Sequence, residues 1–194
     1  PFIGGKTVLE LVILVVIAAA FLSGASGEEG SGGVATNAGA LLILLGLRHN
    51  VLNYVFGISF ERALFYHKFI ACILLVATVI HIILAESKGN MSGWTLTILI
   101  LAVCGSYFLK PYSFELFYCV HIGAFIPIIY VSMLHGARLM GFMGIVWIAD
   151  LLLRYVITVN SVEAKLDYLH GDIVRLTIPK SFDYETLQYS FITI

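Results

Sequence analysis

Charge is what this chain most conspicuously lacks. Only 12% of its 194 residues are Asp, Glu, Lys or Arg, about half the share in ordinary soluble domains. With 60% hydrophobic residues and a mean hydropathy of +0.98, its solvent is expected to be lipid. There is no run of lysine or arginine and the net charge is −1, so nothing points to nucleic acid. Cysteine is sparse as well. Cys72, Cys104 and Cys119 stand apart inside apolar runs without a CxxC pair, which excludes a disulfide framework or a thiolate metal site and leaves small buried hydrophobes. The first apolar run has no cleavage-site pattern and reads as a membrane span rather than a signal peptide. The sequence starts at Pro1 and stops at Ile194 within an alternating pattern, as expected for a piece of a longer protein.

Six apolar runs are long enough to span or nearly span a bilayer: 8–22, 34–56, 64–85, 94–109, 114–135 and 142–159. SGASGEEGSGG (23–33) reads as a flexible, mildly acidic loop between the first two. Short connections make sequential helices antiparallel neighbours, so the third and fifth run parallel. With the N-terminus cytoplasmic, Lys6, Arg48, Arg62, Lys68, Lys110, Arg154 and Lys165 lie inside, and only Lys88 and Arg138 lie outside. After Asn160, β-branched residues alternate with polar ones. GDIVRLTIPKSFDYETLQYSFITI is expected to form a β-hairpin turning at 179–183. Residues 1–160 then form an all-α membrane domain, a six-helix transmembrane bundle. Residues 161–194 open a soluble β domain.

Four histidines stand out. His67 and His81 are fourteen positions apart in the third run, and His121 and His135 fourteen apart in the fifth. Fourteen steps at about 100° bring each pair to one helix face, roughly 21 Å apart along the axis, most of the roughly 30 Å hydrocarbon core. Parallel helices then set the histidines at two levels, His67 with His121 inside and His81 with His135 outside. A histidine facing a histidine suits the two axial positions of a haem iron, and the intervening Ile, Leu, Val, Phe and Ala supply apolar walls. Ionisable groups within a span are costly and usually functional. A metal or proton transporter is the alternative built on the same residues, but each level offers two ligands and no nearby carboxylate to complete a four-ligand set. A haem-binding scaffold without a reductase of its own is a third.

The surroundings of the four histidines are less specific. Each ligating ring needs an acceptor for its second nitrogen, which the sequence does not identify. Gly123, Ala124, Gly136 and Ala137 leave room for a flat macrocycle or for close helix packing. Pro127, between His121 and His135, is expected to bend its helix. Arg48, Arg62 and Lys68 lie at the inner end, where haem carboxylates could meet them or where they simply anchor the interface. His49 has no partner at helical spacing and reads as interfacial, and His170 as solvated.

The paired histidines, with LRHN at 47–50, GISFERALFYHK at 57–68 and YSFELFYCVH at 112–121, resemble the ferric reductase and NADPH oxidase superfamily; VRLTIPKSFDYETLQYSFITI resembles the start of its FAD-binding barrel. The resemblance covers nearly the whole chain. It implies a plasma-membrane oxidoreductase with two haem b groups stacked between helices three and five. NAD(P)H reduces FAD on the cytosolic side, and electrons pass by the inner haem (His67, His121) and the outer haem (His81, His135) to ferric iron or dioxygen outside. Arg48 is a candidate for the haem carboxylates, and the cytosolic dehydrogenase domain is expected after Ile194. Equal spacing of the two pairs is similar to ferric reductases, where oxidases have one residue fewer in the fifth helix. Position 85 is alanine where oxidases often have a second outer histidine, and Glu28 and Glu29 stand where many have arginine. These departures lean toward ferric iron, which Glu28, Glu29 and Glu86 could attract.

Overall fold

A computed structural model describes residues 2–3, 6–24, 26–49, 55, 59–85, 90–157, 165–169 and 173–177. Among these the chain forms six α-helices: α1 Val8–Ser23, α2 Gly27–Gly46, α3 Phe60–Leu84, α4 Met91–Ser106, α5 Phe114–Leu134 and α6 Arg138–Leu152. A 3-10 turn, Tyr107–Leu109, prolongs α4, and a π-helical turn, Leu153–Ile157, prolongs α6. Four of these helical stretches, Phe60–Leu84, Met91–Leu109, Phe114–Leu134 and Arg138–Val156, are long and apolar enough to cross a membrane. The chain is a mostly helical membrane protein with a small β appendage.

Local chemistry explains the helix starts. Ser59, Asn90 and Ser113 each accept a backbone N–H of the first turn of α3, α4 and α5, satisfying donors that a helix leaves unpaired. α2 begins earlier than the sequence suggests. Residues 27–33, expected as a flexible loop, are its first two turns, entered through Gly27 at φ +74°. Glycine disfavours helix by about 1 kcal/mol, so local propensity argues against this segment, and packing on α3 outweighs it.

α2 is the central helix, although it is not among the four apolar spans. One face buries Ala38 and Leu45 against Ala63, Ile70 and Ile73 of α3, with Ile17 and Phe21 of α1 closing the cluster. The other buries Ala40 and Ile43, with Leu47 just beyond the helix, against Met140 and Met143 of α6, joined by Phe125 and Ile128 of α5. A helix enclosed by protein needs small residues for close approach rather than a lipid-like surface. The extensive packings are α2 on α3, α4 on α5, and α6 on both α5 and α2. α3 and α5 have no comparable contact; the bundle is two helix pairs, α2/α3 and α4/α5, set apart along the α3–α5 line.

Two small sheets complete the structure. Phe2–Ile3 (β1) pairs with Lys6–Thr7 (β2), antiparallel. Lys165–Leu169 (β3) pairs with Ile173–Thr177 (β4) in the register Lys165↔Thr177 to Leu169↔Ile173. The second hairpin is therefore one strand earlier than the sequence pattern indicates. Ile173–Thr177 was expected as a first strand turning at 179–183; it is the return strand after His170–Gly171–Asp172, a three-residue connection containing glycine. The 179–183 turn and the strand expected after it lie outside the described residues.

Candidate functional site

The helices that carry the histidines begin in the same way. Ser59-Phe60-Glu61 caps α3 and Ser113-Phe114-Glu115 caps α5, and in each the first histidine comes eight residues after the serine. An N-cap fixes where a helix starts, so equal cap-to-histidine distances, about 12 Å of rise, bring His67 and His121 to the same depth in parallel helices. Fourteen residues on, His81 lies in the last turn of α3 and His135 is the C-cap of α5.

The structure brings the four together in the expected pairs. The ring centres of His67 and His121 are 6.2 Å apart, tilted by 52°. Those of His81 and His135 are 6.0 Å apart, at 88°. Metal ions take imidazole nitrogen at about 2.0 Å and the ring centre lies roughly 1.2 Å behind it, so two rings on opposite sides of one ion have centres about 6.4 Å apart. Head-to-head hydrogen bonding, with about 2.9 Å between nitrogens, would bring the centres to roughly 5.3 Å. The ring centres of both pairs are farther apart than a head-to-head hydrogen bond would set them.

The Nδ1 atoms define which nitrogen is available. His67 Nδ1 is 2.9 Å from the Leu42 carbonyl, and His81 Nδ1 is 3.1 Å from the Glu28 carbonyl and 3.2 Å from Ser31 Oγ. A carbonyl only accepts, so both nitrogens carry the proton and donate. Ser31 gives its own proton to the Gly27 or Glu28 carbonyl, at 2.8 and 2.9 Å, leaving its oxygen to accept from His81. His135 Nδ1 meets Ser92 Oγ at 3.1 Å. Ser92 in turn lies 2.5 Å from Asn90 Oδ1, which also accepts the Ser92 and Gly93 backbone N–H groups as the cap of α4. That oxygen has no proton to give, so Ser92 donates to it and accepts from His135. Three rings thus carry a proton on Nδ1, and in the neutral ring this leaves the lone pair on Nε2, the nitrogen a metal would take. The fourth differs. Among the described residues His121 Nδ1 is buried without a hydrogen bond of ordinary geometry; the Val103 carbonyl near this ring accepts from Ser106 Oγ at 2.6 Å. Phe117 flanks this ring, with centres 5.2 Å apart.

Glycines make these approaches possible. A Cβ on Gly32 would stand 3.1 Å from the His81 ring, one on Gly46 3.8 Å from His67, and one on Gly93 3.0 Å from His135. Helical side chains lean toward the N-terminus and cover the preceding turn. A glycine therefore uncovers the carbonyl four residues before it. Glu28 precedes Gly32 by four and Leu42 precedes Gly46 by four, and these are the carbonyls that His81 and His67 use. The sequence carried this signal: Gly32 and Gly46 are fourteen apart, the spacing of His67 and His81 on the antiparallel helix. Gly123 and Gly136, considered for the macrocycle, do not pack on the rings; a Cβ on either would meet nothing within 4 Å, and Gly136 makes the turn after α5 at φ +97°. Ala137 joins the α2/α6 cluster.

At the end of the bundle that carries Arg48, His49 is not merely interfacial. Its backbone N–H donates to Asp150 Oδ1 at 2.9 Å and its Nδ1 lies 3.1 Å from the same oxygen, while Arg154 donates to Oδ2. Asp150, which sequence reasoning passed over, is only 3% exposed. The cluster ties the turn after α2 to α6, and Arg48 sits half-buried in that turn. Lys68 lies over the Tyr107 ring at 5.3 Å. His170 and Glu86 lie outside the described residues. Among the described residues, no three His, Cys, Asp or Glu gather as a metal centre. Neither a protein-family model, a curated protein nor a solved structure matches the chain.

Proposed function

We propose that this chain is the membrane portion of a cytochrome b-type oxidoreductase of the ferric reductase and NADPH oxidase kind. It passes electrons from cytosolic NAD(P)H and FAD across a bilayer to an acceptor outside, ferric iron in preference to dioxygen. His67 and His121 hold an inner haem b, and His81 and His135 an outer one. Haem, when bound, supplies reversible one-electron chemistry. The single observation that carries this is the spacing of both imidazole pairs, 6.2 and 6.0 Å between centres, with the Nδ1 atoms of His67, His81 and His135 hydrogen-bonded away from the facing ring.

The chain's own residues then have definite roles. Leu42, Glu28 and Ser92 hold three rings through Nδ1, so that the lone pair of each neutral ring lies on Nε2. Gly32, Gly46 and Gly93 let those rings back onto α2 and α4. The α3–α5 line, where helices face without close contact, admits a flat group, and the apolar faces around it exclude water. Arg48, in the turn after α2, is the cation offered to inner haem carboxylates. In this scheme all six helices belong to the membrane domain, α1 and α2 included, and 161–194 leads into the flavin barrel.

Purified protein from haem-replete cells should show a low-spin haem b spectrum with two haems per chain by pyridine haemochrome. A colourless preparation refutes the proposal. Zinc or proton flux in liposomes without a reductant would instead identify a transporter. With the full-length protein reduced inside vesicles, ferrous iron appearing outside without superoxide supports the proposed acceptor; superoxide alone refutes it.

A further inference from the structure

α4 carries no candidate ligand, yet its first turn ends on one. The chain of contacts runs His135 Nδ1–H to Ser92 Oγ at 3.1 Å, Ser92 O–H to Asn90 Oδ1 at 2.5 Å, and Asn90 Oδ1 to the helix N–H groups of Ser92 and Gly93. Each proton in it is assigned by an atom that can only donate or only accept. Gly93 clears the way, since its Cβ would come within 3.0 Å of the ring. Among the described residues Ser92 is the sole hydrogen-bond partner of His135 Nδ1. His81, by contrast, divides its Nδ1 proton between Ser31 and the Glu28 carbonyl.

We propose that Ser92, fixed by the Asn90 cap, is a positioning residue that sets the electron-donor strength of His135 and hence the redox potential of the outer haem, independently of the inner one. This rests on the proposed haem ligation. An acceptor on Nδ1–H makes the opposite nitrogen a stronger donor and favours the oxidised metal. Removing the Ser92 oxygen weakens that donation, so the outer couple becomes easier to reduce. Ser31 has a second acceptor beside it, so its removal has a much smaller effect.

The test is potentiometric titration, followed by haem absorbance, of the purified protein in detergent. The transition lost in His135→Ala identifies the outer haem. Ser92→Ala should raise that midpoint by the equivalent of about tenfold in the oxidised-to-reduced ratio, about 59 mV for a one-electron couple, with the inner midpoint unchanged. Ser92→Thr should restore the wild-type value, and Ser92→Cys, with a poorer acceptor, should fall between. Ser31→Ala should shift the same transition by far less. Two bound haems whose outer midpoint is unmoved in Ser92→Ala and Ser92→Cys overturn this inference alone, as does an equal shift of both midpoints. A wild-type protein without haem overturns the ligation proposal and this inference with it.

Discussion

The inner and outer histidine levels use the same pair of residues on the same pair of helices but support them differently. At the level proposed as inner, His67 has one backbone acceptor, His121 Nδ1 makes no hydrogen bond of ordinary geometry among the described residues, and the nearest glycine leaves 3.8 Å where a Cβ would stand. At the level proposed as outer, both rings reach serine hydroxyls, and a Cβ on the facing glycines would press on them at 3.1 and 3.0 Å. The inner rings are tilted at 52° and the outer ones cross at 88°. The level of His67 and His121 has one backbone acceptor and a looser glycine contact, and that of His81 and His135 adds two serine hydroxyls to a backbone acceptor and has closer glycines. Two sites with equal ligands should therefore tolerate substitution unequally.

The largest effect that can break this comparison is loss of a ligand. His81→Ala or His135→Ala should halve haem content, from two per chain to one, by removing the outer haem and sparing the inner. His67→Ala or His121→Ala should do the reverse. Loss of both haems in every variant would show that the levels do not fold independently. Next in size is the glycine contrast. Gly93→Val and Gly32→Val push a branched side chain toward an outer ring that would already have to shift for a Cβ, and interiors do not yield such space freely. Both should deplete the outer haem severalfold while the absorbance of the inner haem survives.

Breaking the cluster at the inner end comes third. Asp150 is buried, bonded to His49 and Arg154, and joins α6 to the turn after α2. Removing one member of a buried charged group strands the others, at about 3 kcal/mol or more. Asp150→Ala should lower the thermal midpoint in detergent by several degrees and loosen the inner haem before the outer, whereas Asp150→Asn, which keeps one acceptor, should cost less. Preferential loss of the outer haem would contradict the assignment of this cluster to the inner level.

The pairing of the histidines was legible because it rests on two periodicities, fourteen residues within a helix and parallel direction two helices apart. The cap repeat, SFE followed by histidine at the eighth position, was equally present at 59–67 and 113–121 and explains the shared depth. α2 was the hard case. Its Gly27–Gly33 segment has poor helix propensity, and only the imidazole of His81 and the face of α3 give a reason for it to be helical, which is tertiary information. His49 with Asp150 was likewise unreadable, because the partners are separated by 101 positions. The strand Lys165–Leu169 was not legible because its alternation is short and merges with the linker after Asn160, whereas the pairing expected across 179–183 lies outside the described residues.

Gly46→Ala carries the smallest expected effect, and its sign sharpens the comparison. Gly46 ends α2 without positive φ among the described glycines, so alanine fits its backbone. Its Cβ would stand 3.8 Å from the His67 ring, an ordinary contact. Replacing glycine by alanine at such a position stabilises a protein by about 0.4–1 kcal/mol, chiefly by restricting the unfolded chain. Gly46→Ala should raise the thermal midpoint slightly and leave the haem spectrum unchanged. Gly32→Ala offers the same entropic gain but sets its Cβ 3.1 Å from the His81 ring, so the ring must shift and the gain should be cancelled or reversed. Opposite signs for one chemical change at two positions fourteen residues apart would show that the ring, rather than glycine itself, decides. Equal gains at both would mean that the outer ring can retreat from α2 without loss.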